Sequence, residues 1–400
     1  MTKNVKQMHM IGNAHLDPVW LWQWPEGLGA MRATFRSALD RLNETEGFIF
    51  TSSQAAMYEY VEKCDPKLFA DIKEAVKGGR WVIVGGWWVQ PDCNVPGNEG
   101  MVRQALYGLR YFKEKFDIDI RVGYNVDSFG HTAALPQILK GTGMDYYVFM
   151  RPGTHEKPEL PGRLFKWESP DGSQVLAYQI PHAYQVSGFG KELLDKIDKT
   201  KAELSEEQPL LMCFYGVGNH GGGPTKENLR NIEEAKEADK DVEIVFSDPD
   251  KFFAELEKRN LEFPVVKDDL QHHASGCYSV ESDIKHNNRK AENGLVTAEK
   301  AASLANSLVG YAYPKQDLTR AWKKVLFNQF HDILPGTSIK EAYIDAKHMH
   351  GEAISIADET ANLAFQAITA EIDTTGEGTP IVVFNPHTHR QVGSVSIELM

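Results

Sequence analysis

The chain has 400 residues, of which 42% are hydrophobic and 25% charged, and a formal net charge of −13 at pH 7. This length is too great for one small core and predicts two or more domains. The acidic balance, without a cluster of Lys and Arg, argues against a nucleic-acid surface. No apolar run approaches the roughly 20 residues of a membrane helix, and the N-terminus lacks a basic stretch followed by an apolar one. We therefore expect a cytoplasmic protein with no nucleic-acid and no membrane partner.

The four cysteines lie far apart in the sequence and form no CxxC pair: Cys64, Cys93, Cys213 and Cys277. This spacing is typical of free thiols in a reducing compartment and argues against a cysteine-based zinc site. If the protein binds a metal, histidines and carboxylates must hold it.

The first predicted element is a short apolar strand in "VKQMHMIGNAH", which ends at His15 and is followed by "LDPVWLWQW". In extended backbone, residues i and i+2 point to the same side, so His15 and Asp17 would present an imidazole and a carboxylate together. Such a pair is half of a metal site, and the neighbouring Trp20, Trp22 and Trp24 offer flat apolar faces for a sugar ring. The alternative at this stage is a buried strand end without function.

Up to about residue 275, β-branched or aromatic runs alternate with helical segments. The strand-like runs are 81–88, 120–127, 144–151, 174–180, 210–218 and 242–248. This order predicts an α/β fold with a mostly parallel sheet, either open or closed into a barrel. In such folds the functional groups gather at the carboxyl ends of the strands.

From about residue 285 the pattern becomes helical, and three segments predict a three-helix bundle. Beyond "TTGEGTP", the runs "IVVFNP" and "GSVSIEL" predict the start of a β region. We therefore expect an α/β domain, with an open sheet or a barrel, over 1–278, a three-helix domain over 279–374 and the start of a further β domain over 375–400.

Three groups of residues could carry chemistry. They are His15 with Asp17, Asp127 in "YNVDSFGH", and the pair His331 and Asp332 in "NQFHDILPGTS". Each is a weak signal alone, because a histidine at the end of a helix often only complements the helix dipole. All three nevertheless stand at the ends of predicted elements.

Four segments, taken in order, resemble the family 38 glycoside hydrolases, the retaining α-mannosidases and related bacterial mannosyl hydrolases. The segments are "HLDPVW", "NVDSFGH", "SGCYSVESDIKHNNRKAEN" and "NQFHDILPGTS". The resemblance covers most of the chain and implies a distorted (β/α)-barrel joined to a three-helix domain that supplies His331 and Asp332. The family continues into a large C-terminal β domain, so the resemblance implies an N-terminal part whose activity on its own is an open question.

The resemblance also implies roles for individual residues. One Zn²⁺ would be held by His15, Asp17, Asp127 and His331, a nitrogen and oxygen donor set that suits a catalytic zinc. Asp127 would be both ligand and nucleophile, and would form a covalent glycosyl-enzyme. Trp20 would stack on the sugar, Asp332 would accept hydrogen bonds from its hydroxyls, and Arg151 would orient the nucleophile or the substrate.

The acid/base group departs from the family pattern. In "YGVGNHGGGPT" the family has an Asp after the glycine, whereas this chain has Asn219 and His220. Asn219 cannot carry a proton but could bind substrate, and His220 could carry one, since its free pKa lies near neutrality. The three glycines after it would let a substrate approach closely. The alternatives are a turn that His220 merely caps, or an acid/base at Asp248, Glu281 or Asp283.

Two further histidines, His272 and His273, could bind a metal, although adjacent side chains usually diverge. His131 could contact substrate, but a hydrogen bond that holds its loop is the simpler interpretation.

The resemblance implies release of α-linked mannose from an oligosaccharide or conjugate, and the exposed helices leave room for a homodimer. A zinc-dependent carbohydrate deacetylase, in which water replaces Asp127 as nucleophile, is one rival. An inactive sugar-binding homologue, which Asn219 makes conceivable, is the other.

Overall fold

The computed structural model describes residues 5–259, 261–271, 273–394 and 396. They form two compact units, one of residues 1–285 with 326–346 and one of residues 286–325 with 347–400. In the described part of the chain, none of the helices is long and apolar enough to cross a bilayer.

The described residues of the first unit form ten strands in two sheets. The strands are β1 (Lys6–Asn13), β2 (Phe50–Ser52), β3 (Trp81–Ile83), β4 (Val122–Asn125), β5 (Tyr146–Phe149), β6 (Leu164–Glu168), β7 (Gln174–Gln179), β8 (Leu210–Tyr215), β9 (Val242–Phe246) and β10 (Val265–Val266). The intervening helices are α1 (Trp24–Glu44), α2 (Ala55–Cys64), α3 (Pro66–Lys77), α4 (Asn98–Phe116), α5 (Leu135–Gly141), α6 (Glu192–Ala202), α7 (Lys226–Ala238) and α8 (Pro249–Glu257).

β1 is the centre of the first sheet, and all of its pairings are parallel. β8 pairs with β1 from Gln7↔Leu210 to Gly12↔Tyr215. β9 pairs with the first part of β1 and β2 with its last residues, while β3 extends the sheet beyond β2. Because the strands are parallel, their carboxyl ends, including the end of β1 just before His15, lie at one edge of the sheet.

The second sheet has the order β10-β6-β7-β5-β4 and is parallel except for the β6–β7 pair. Two links connect it to the first sheet. Gly85 N–H, just after β3, donates to the Val122 carbonyl of β4 at 2.8 Å. On β7, the Tyr178 hydroxyl donates to the Met212 carbonyl of β8 and accepts from the Met212 N–H. The predicted α/β fold is confirmed, and its barrel is distorted into two linked five-stranded sheets.

Every strand-like run named from the sequence contains an observed strand, although each strand is shorter than its run. β2, β6 and β10 were not predicted. β2 has three residues and β10 has two, too few to show a periodic pattern. β6 is antiparallel to β7, which an expectation of alternating parallel strands does not include.

Helix α4 lies so close to the segment after β3 that its Gly108 has no room for a side chain. A Cβ there would lie 2.3 Å from the Gly86 carbonyl oxygen, whereas a Cβ at Gly29 in α1 would meet nothing within 4 Å. Gly108→Ala should therefore destabilise the protein by about 1–3 kcal/mol or more through overpacking. Gly29→Ala should stabilise it by about 0.5–1 kcal/mol, because alanine favours the helix.

Urea unfolding of the two alanine variants checks this pair. Equal changes in the free energy of unfolding of the two variants would contradict the close approach of α4 to the segment after β3.

The second unit contains most of the three remaining helices: α9 (Ser282–Val309), α10 (Lys315–Asn328) and α11 (Lys340–Thr369). Small side chains pack α9 against α11, with Ala301, Ala302 and Ala305 beside Ala364 and Ile368. In this unit the Trp322 indole donates to Glu299 at 2.9 Å. The three predicted helices are thus present.

The compact units do not divide the chain where the predicted domains do. Residues 326–346, which carry His331 and Asp332, belong to the first unit and not with the other helical residues. "IVVFNP" forms no strand, and neither do the described residues of "GSVSIEL"; the remainder of that run lies outside the described residues. Ile381 and Val383 are 55% and 60% exposed, which agrees with the rule that two lone strands cannot bury a core.

Candidate active site

The segment after β1 brings His15 and Asp17 together, as the i, i+2 spacing predicts. His15 Nε2 lies 2.9 Å from Asp17 Oδ1. The backbone of this segment pairs with the loop after β8, since Asp17 N–H donates to the Asn219 carbonyl and Asn219 N–H to the His15 carbonyl. Trp22 Nε1 donates to the Asp17 carbonyl at 2.9 Å. Both side chains are therefore held by main-chain contacts and are only 2% exposed.

Asp127 stands in the turn after β4, with both of its carboxylate oxygens in contact with other side chains. Arg151 Nε, from the segment after β5, donates to Oδ1 at 2.5 Å. The Tyr184 hydroxyl, from the segment after β7, lies 3.1 Å from Oδ2. Below the turn, the amide of Asn125 accepts from Trp87 and donates to Ser128. The carboxylate is thus held in one orientation.

His331 and Asp332 lie just after α10. His331 Nδ1 is 2.9 Å from the Gln90 carbonyl, which can only accept, so Nδ1 carries the proton and Nε2 has a free lone pair. The Thr337 hydroxyl donates to Asp332 Oδ1 at 2.5 Å. The aromatic ring of His331 stacks on that of His15 with 5.2 Å between centroids.

Two overlapping sets of donor atoms lie within 4.8 Å of one another: His15, Asp127 and His331, and Asp17, His331 and Asp332. Both ring nitrogens of His15, Asp17 Oδ1 and His331 Nε2 are buried and, within the described residues, make no hydrogen bond of normal geometry, although His15 Nε2 and Asp17 Oδ1 lie 2.9 Å apart. Buried polar atoms without partners are costly, and such atoms in a native structure point to a bound ion or ligand. The donor set fits a zinc ion.

Burial also sets the protonation of this cluster. It lowers the pKa of His15 to about 4 and also lowers the pKa of His331. Both rings are therefore neutral, which is the form that binds metal. Burial, with the charge of Asp127 as the next cause, raises the pKa of Asp17 well above its usual value. Burial raises the pKa of Asp332 to about 7. A bound cation would reverse the effect on the carboxylates.

Two buried glutamines that the sequence reasoning missed join the strand ends beneath the cluster. Gln54 donates from its side chain to the Leu16 carbonyl and accepts from Gln90 N–H. The Gln90 side chain accepts from Val126 N–H and donates to Ser53. A buried glutamine has no distinct sequence pattern, so no local signal marked these two.

Gln90→Ala should loosen this network, because it leaves the Val126 N–H beside Asp127 without its acceptor. If this cluster holds zinc, its affinity should fall by about 10- to 100-fold, as for other groups that support metal ligands. Competition with a chromogenic chelator measures this affinity. Asn228→Ala, which removes a buried amide from the capping box of α7, is the matched control and should leave zinc binding unchanged.

The structure brings Asn219 to the cluster and gives His220 other neighbours. Asn219 Oδ1 lies 2.7 Å from the Tyr184 hydroxyl, so Tyr184, another residue that the sequence reasoning missed, contacts both Asn219 and Asp127. His220 Nε2 instead lies 2.9 Å from Glu26 Oε1, and its ring packs edge-on against Trp22. The side chains of His220 and Glu26 are both more than half exposed.

The glycines that follow serve the packing of this loop on α1. Gly222 N–H donates to the Thr34 hydroxyl at 2.9 Å, and a Cβ on Gly221 would lie 2.6 Å from the same oxygen. Thr34 of α1 thus occupies the space that a side chain at Gly221 would need, and the expected approach of a substrate at these glycines stays a prediction.

The remaining candidates have structural contacts. Trp20 is half-buried and packs edge-on against Trp22 at 5.8 Å. His131 lies between the Arg151 carbonyl and the Tyr147 hydroxyl, as the loop-holding interpretation predicts. Asp248 caps α8 through Lys251 N–H. Glu281 and Asp283 are exposed around the first turn of α9, and His272 lies outside the described residues.

An α/β barrel with buried donor groups gathered after its parallel strands is the arrangement in which enzymes of this fold place their catalytic residues. The chain belongs to glycosyl hydrolase family 38. Residues 6–276 match the model of the "Glycosyl hydrolases family 38 N-terminal domain", and residues 272–368 match that of the "Alpha mannosidase middle domain". The resemblance drawn from the sequence motifs is confirmed.

Similar proteins include alpha-mannosidase 2C1 of Mus musculus, 30% identical over 91% of this chain and 35% of that protein. Alpha-mannosidase G of Dictyostelium discoideum is 31% identical over 86% of this chain and 32% of its own length. The crystal structure of an alpha-mannosidase from Enterococcus faecalis V583 shares the fold, with a TM-score of 0.82, 20% identity, and coverage of 92% of this chain and 43% of that one. The chain thus spans about a third of the length of these curated relatives.

Proposed function

We propose that this protein is a zinc-dependent, retaining glycoside hydrolase that releases terminal α-linked mannose from an oligosaccharide or a mannosyl conjugate. The observation that carries the proposal is the buried cluster of unpartnered donor atoms on His15, Asp17 and His331 beside the oriented carboxylate of Asp127. Membership of family 38 and the names of the relatives support the choice of mannose.

In this proposal His15, Asp17, Asp127 and His331 hold one zinc ion. When bound, the zinc supplies positive charge that offsets the three carboxylates of the cluster and a Lewis acid for ring hydroxyls of the sugar. The chain prepares the ligands, since the Gln90 carbonyl keeps the proton of His331 on Nδ1 and main-chain bonds fix the segment from His15 to Asp17.

Asp127 acts as the nucleophile. One of its oxygens forms a bond to the anomeric carbon while the glycosidic bond breaks, and the aglycone leaves with a proton from the acid group. Water then attacks the anomeric carbon and frees Asp127, so the configuration is retained. Arg151 and Tyr184 orient the carboxylate from its two sides. Burial raises the pKa of Tyr184 well above its usual value, which keeps its hydroxyl a donor.

We assign the proton transfer to His220, the imidazole beside the position where the family has an Asp, although its ring contacts Glu26 and Trp22 in this structure and not the cluster. Glu26 accepts a hydrogen bond from this imidazole at 2.9 Å. His220→Asn should slow hydrolysis of an alkyl α-mannoside by about 10²-fold or more. An aryl mannoside whose leaving group needs no proton should be affected far less. Equal losses with both substrates, or no loss, would contradict the assignment.

The remaining roles follow from the same proposal. Trp20 provides a flat face for the sugar ring. Asp332 accepts hydrogen bonds from the hydroxyls of the sugar, and Asn219 forms hydrogen bonds with them through its amide. The partners are mannose-containing glycosides rather than nucleic acid or membranes, and a homodimer stays a prediction. The cytoplasmic location also stays a prediction, supported by four cysteines that are all free thiols.

Hydrolysis of 4-nitrophenyl α-mannoside, combined with the zinc content of the purified protein, tests the proposal. Turnover with one zinc per chain, retention of configuration by proton NMR, and a fluorosugar adduct on Asp127 would support it. Turnover without an adduct would favour attack by water, as in a deacetylase-type hydrolase. One zinc without turnover would favour a sugar-binding homologue, and a chain without zinc would overturn the metal site.

A further inference from the structure

Arg151, which donates from Nε to Asp127, has a second partner at the tip of its guanidinium group. Arg151 Nη1 lies 2.9 Å from Nε2 of His273. A guanidinium group can only donate, so His273 Nε2 must accept and carries no proton. The proton of the neutral ring is then on Nδ1, which lies 2.6 Å from Glu156 Oε1. Because a guanidinium group can only donate and a carboxylate can only accept, each hydrogen bond in the row of four side chains Glu156–His273–Arg151–Asp127 has a defined direction.

Glu156 is itself held in place, which gives the row a fixed end. Its second oxygen accepts from Gly153 N–H at 2.7 Å. Burial alone would raise the pKa of Glu156, but the hydrogen bonds from Gly153 and His273 lower it below its usual value. The ring of His273 also packs on Phe129 at 5.6 Å, two residues after Asp127. Glu156, His273 and Arg151 are between 18% and 28% exposed at their side chains.

The backbone of Arg151 is fixed separately. His131 Nε2 lies 2.8 Å from the Arg151 carbonyl, and the Tyr147 hydroxyl lies at the same distance from His131 Nδ1. The carbonyl can only accept, so His131 carries its proton on Nε2, the opposite arrangement from His273. Arg151 is therefore held at its backbone by one histidine and at its tip by another, which limits the many rotamers open to this long side chain.

We propose that Glu156 and His273 are positioning residues that lock Arg151 against Asp127, so that the orientation of the nucleophile depends on a neutral His273 with its proton on Nδ1. This rests on the proposed function in that Asp127 is taken as the nucleophile. His273 acts through Arg151 and needs no contact with substrate. Loss of its acceptor would let Arg151 turn away and leave one oxygen of Asp127 without its fixed donor.

The test compares His273→Leu, which removes the acceptor, with His273→Gln, whose side-chain oxygen can still accept from Arg151. Loss of one hydrogen bond to a charged group predicts that His273→Leu lowers kcat by about 10- to 100-fold. KM should change by less than about threefold, because orientation of the nucleophile acts on the chemical step. His273→Gln should regain most of the loss, and Glu156→Gln should fall between the two. His348→Gln, at an exposed position on α11, is the control.

A merely structural role for His273 would make the Gln and Leu variants equally poor, and that result overturns the proposal. So does a kcat for His273→Leu within about twofold of wild type.

If the wild-type chain has no mannosidase activity, the proposed function fails, and ¹⁵N-histidine NMR still decides the positioning. With the His273 resonances assigned from the His273→Gln spectrum, we expect a neutral ring protonated on Nδ1 whose Nε2 signal moves in Arg151→Met. A protonated ring, a proton on Nε2, or an unmoved signal overturns it.

Discussion

Replacement of Asp127 by Asn should lower kcat/KM for an aryl α-mannoside by about 10⁴-fold or more, since removal of a catalytic nucleophile costs this much in other hydrolases. Asn keeps the shape of the side chain and one oxygen for Arg151, but its amide is a poor nucleophile for the anomeric carbon. Because that oxygen can still contact a metal, zinc content should fall less in Asp127→Asn than in Asp127→Ala. Steady-state kinetics and metal analysis of the two variants measure both effects.

Asp248→Asn is the matched control for this change. Asp248 is also buried and follows β9, but its carboxylate caps α8 and pairs with Lys251. Asn is also a good N-cap, so the free energy of unfolding of the Asp248→Asn variant should change by less than about 1 kcal/mol. Its activity should be unchanged. If Asp127→Asn retained more than about a hundredth of the activity, Asp127 would not be the nucleophile.

If the cluster holds zinc as proposed, His331→Ala should remove the metal from the protein and with it the proposed activity. Nε2 of His331 lies close to Asp17 and to Asp332, so its loss takes a nitrogen from the centre of the donor cluster. Even groups that only support a metal ligand are worth about 10- to 100-fold in affinity, and a ligand itself should be worth more. Titration of the metal-free variant with zinc, followed by competition with a chelator, gives the change in the dissociation constant.

His9→Asn separates metal binding from the general cost of losing a buried histidine. His9 lies on β1, the strand that leads to His15, and is 3% exposed. Its ring nitrogens form hydrogen bonds with Ser247 and Gln7. This variant should be less stable yet bind zinc as tightly as wild type. Equal loss of zinc from both variants would show that His331 acts through the stability of the fold.

The parts of the site that could be read from the sequence are those set within a few residues. His15 and Asp17 meet because extended backbone places residues i and i+2 on one side, and their 2.9 Å separation agrees with that rule. The alternation of strands and helices likewise predicted the parallel pairing around β1. Asp127 and His331 were weak candidates at the ends of predicted elements, and only the resemblance of their segments to a known family, in the right order, gave them roles.

The contacts that orient these residues join positions far apart in the chain and carry no local pattern. Gln90 meets His331 across 241 residues, and Glu156 meets His273 across 117. His220 is next to Asn219 in the sequence, yet only Asn219 contacts Tyr184, because its positive φ of 59° marks a turn that sends the two side chains to different neighbours.

The sequence by itself determined the α/β class, the helical second part, the family and the donor types, since periodicity, composition and motif order are local properties of the chain. The tertiary structure decided which of the weak candidates meet, which polar atoms remain buried without partners, and how Asp127 is held. Those features depend on hydrogen bonds between residues that are far apart in the sequence and lie at the ends of different strands. Such bonds form only once the sheets have brought those strand ends together.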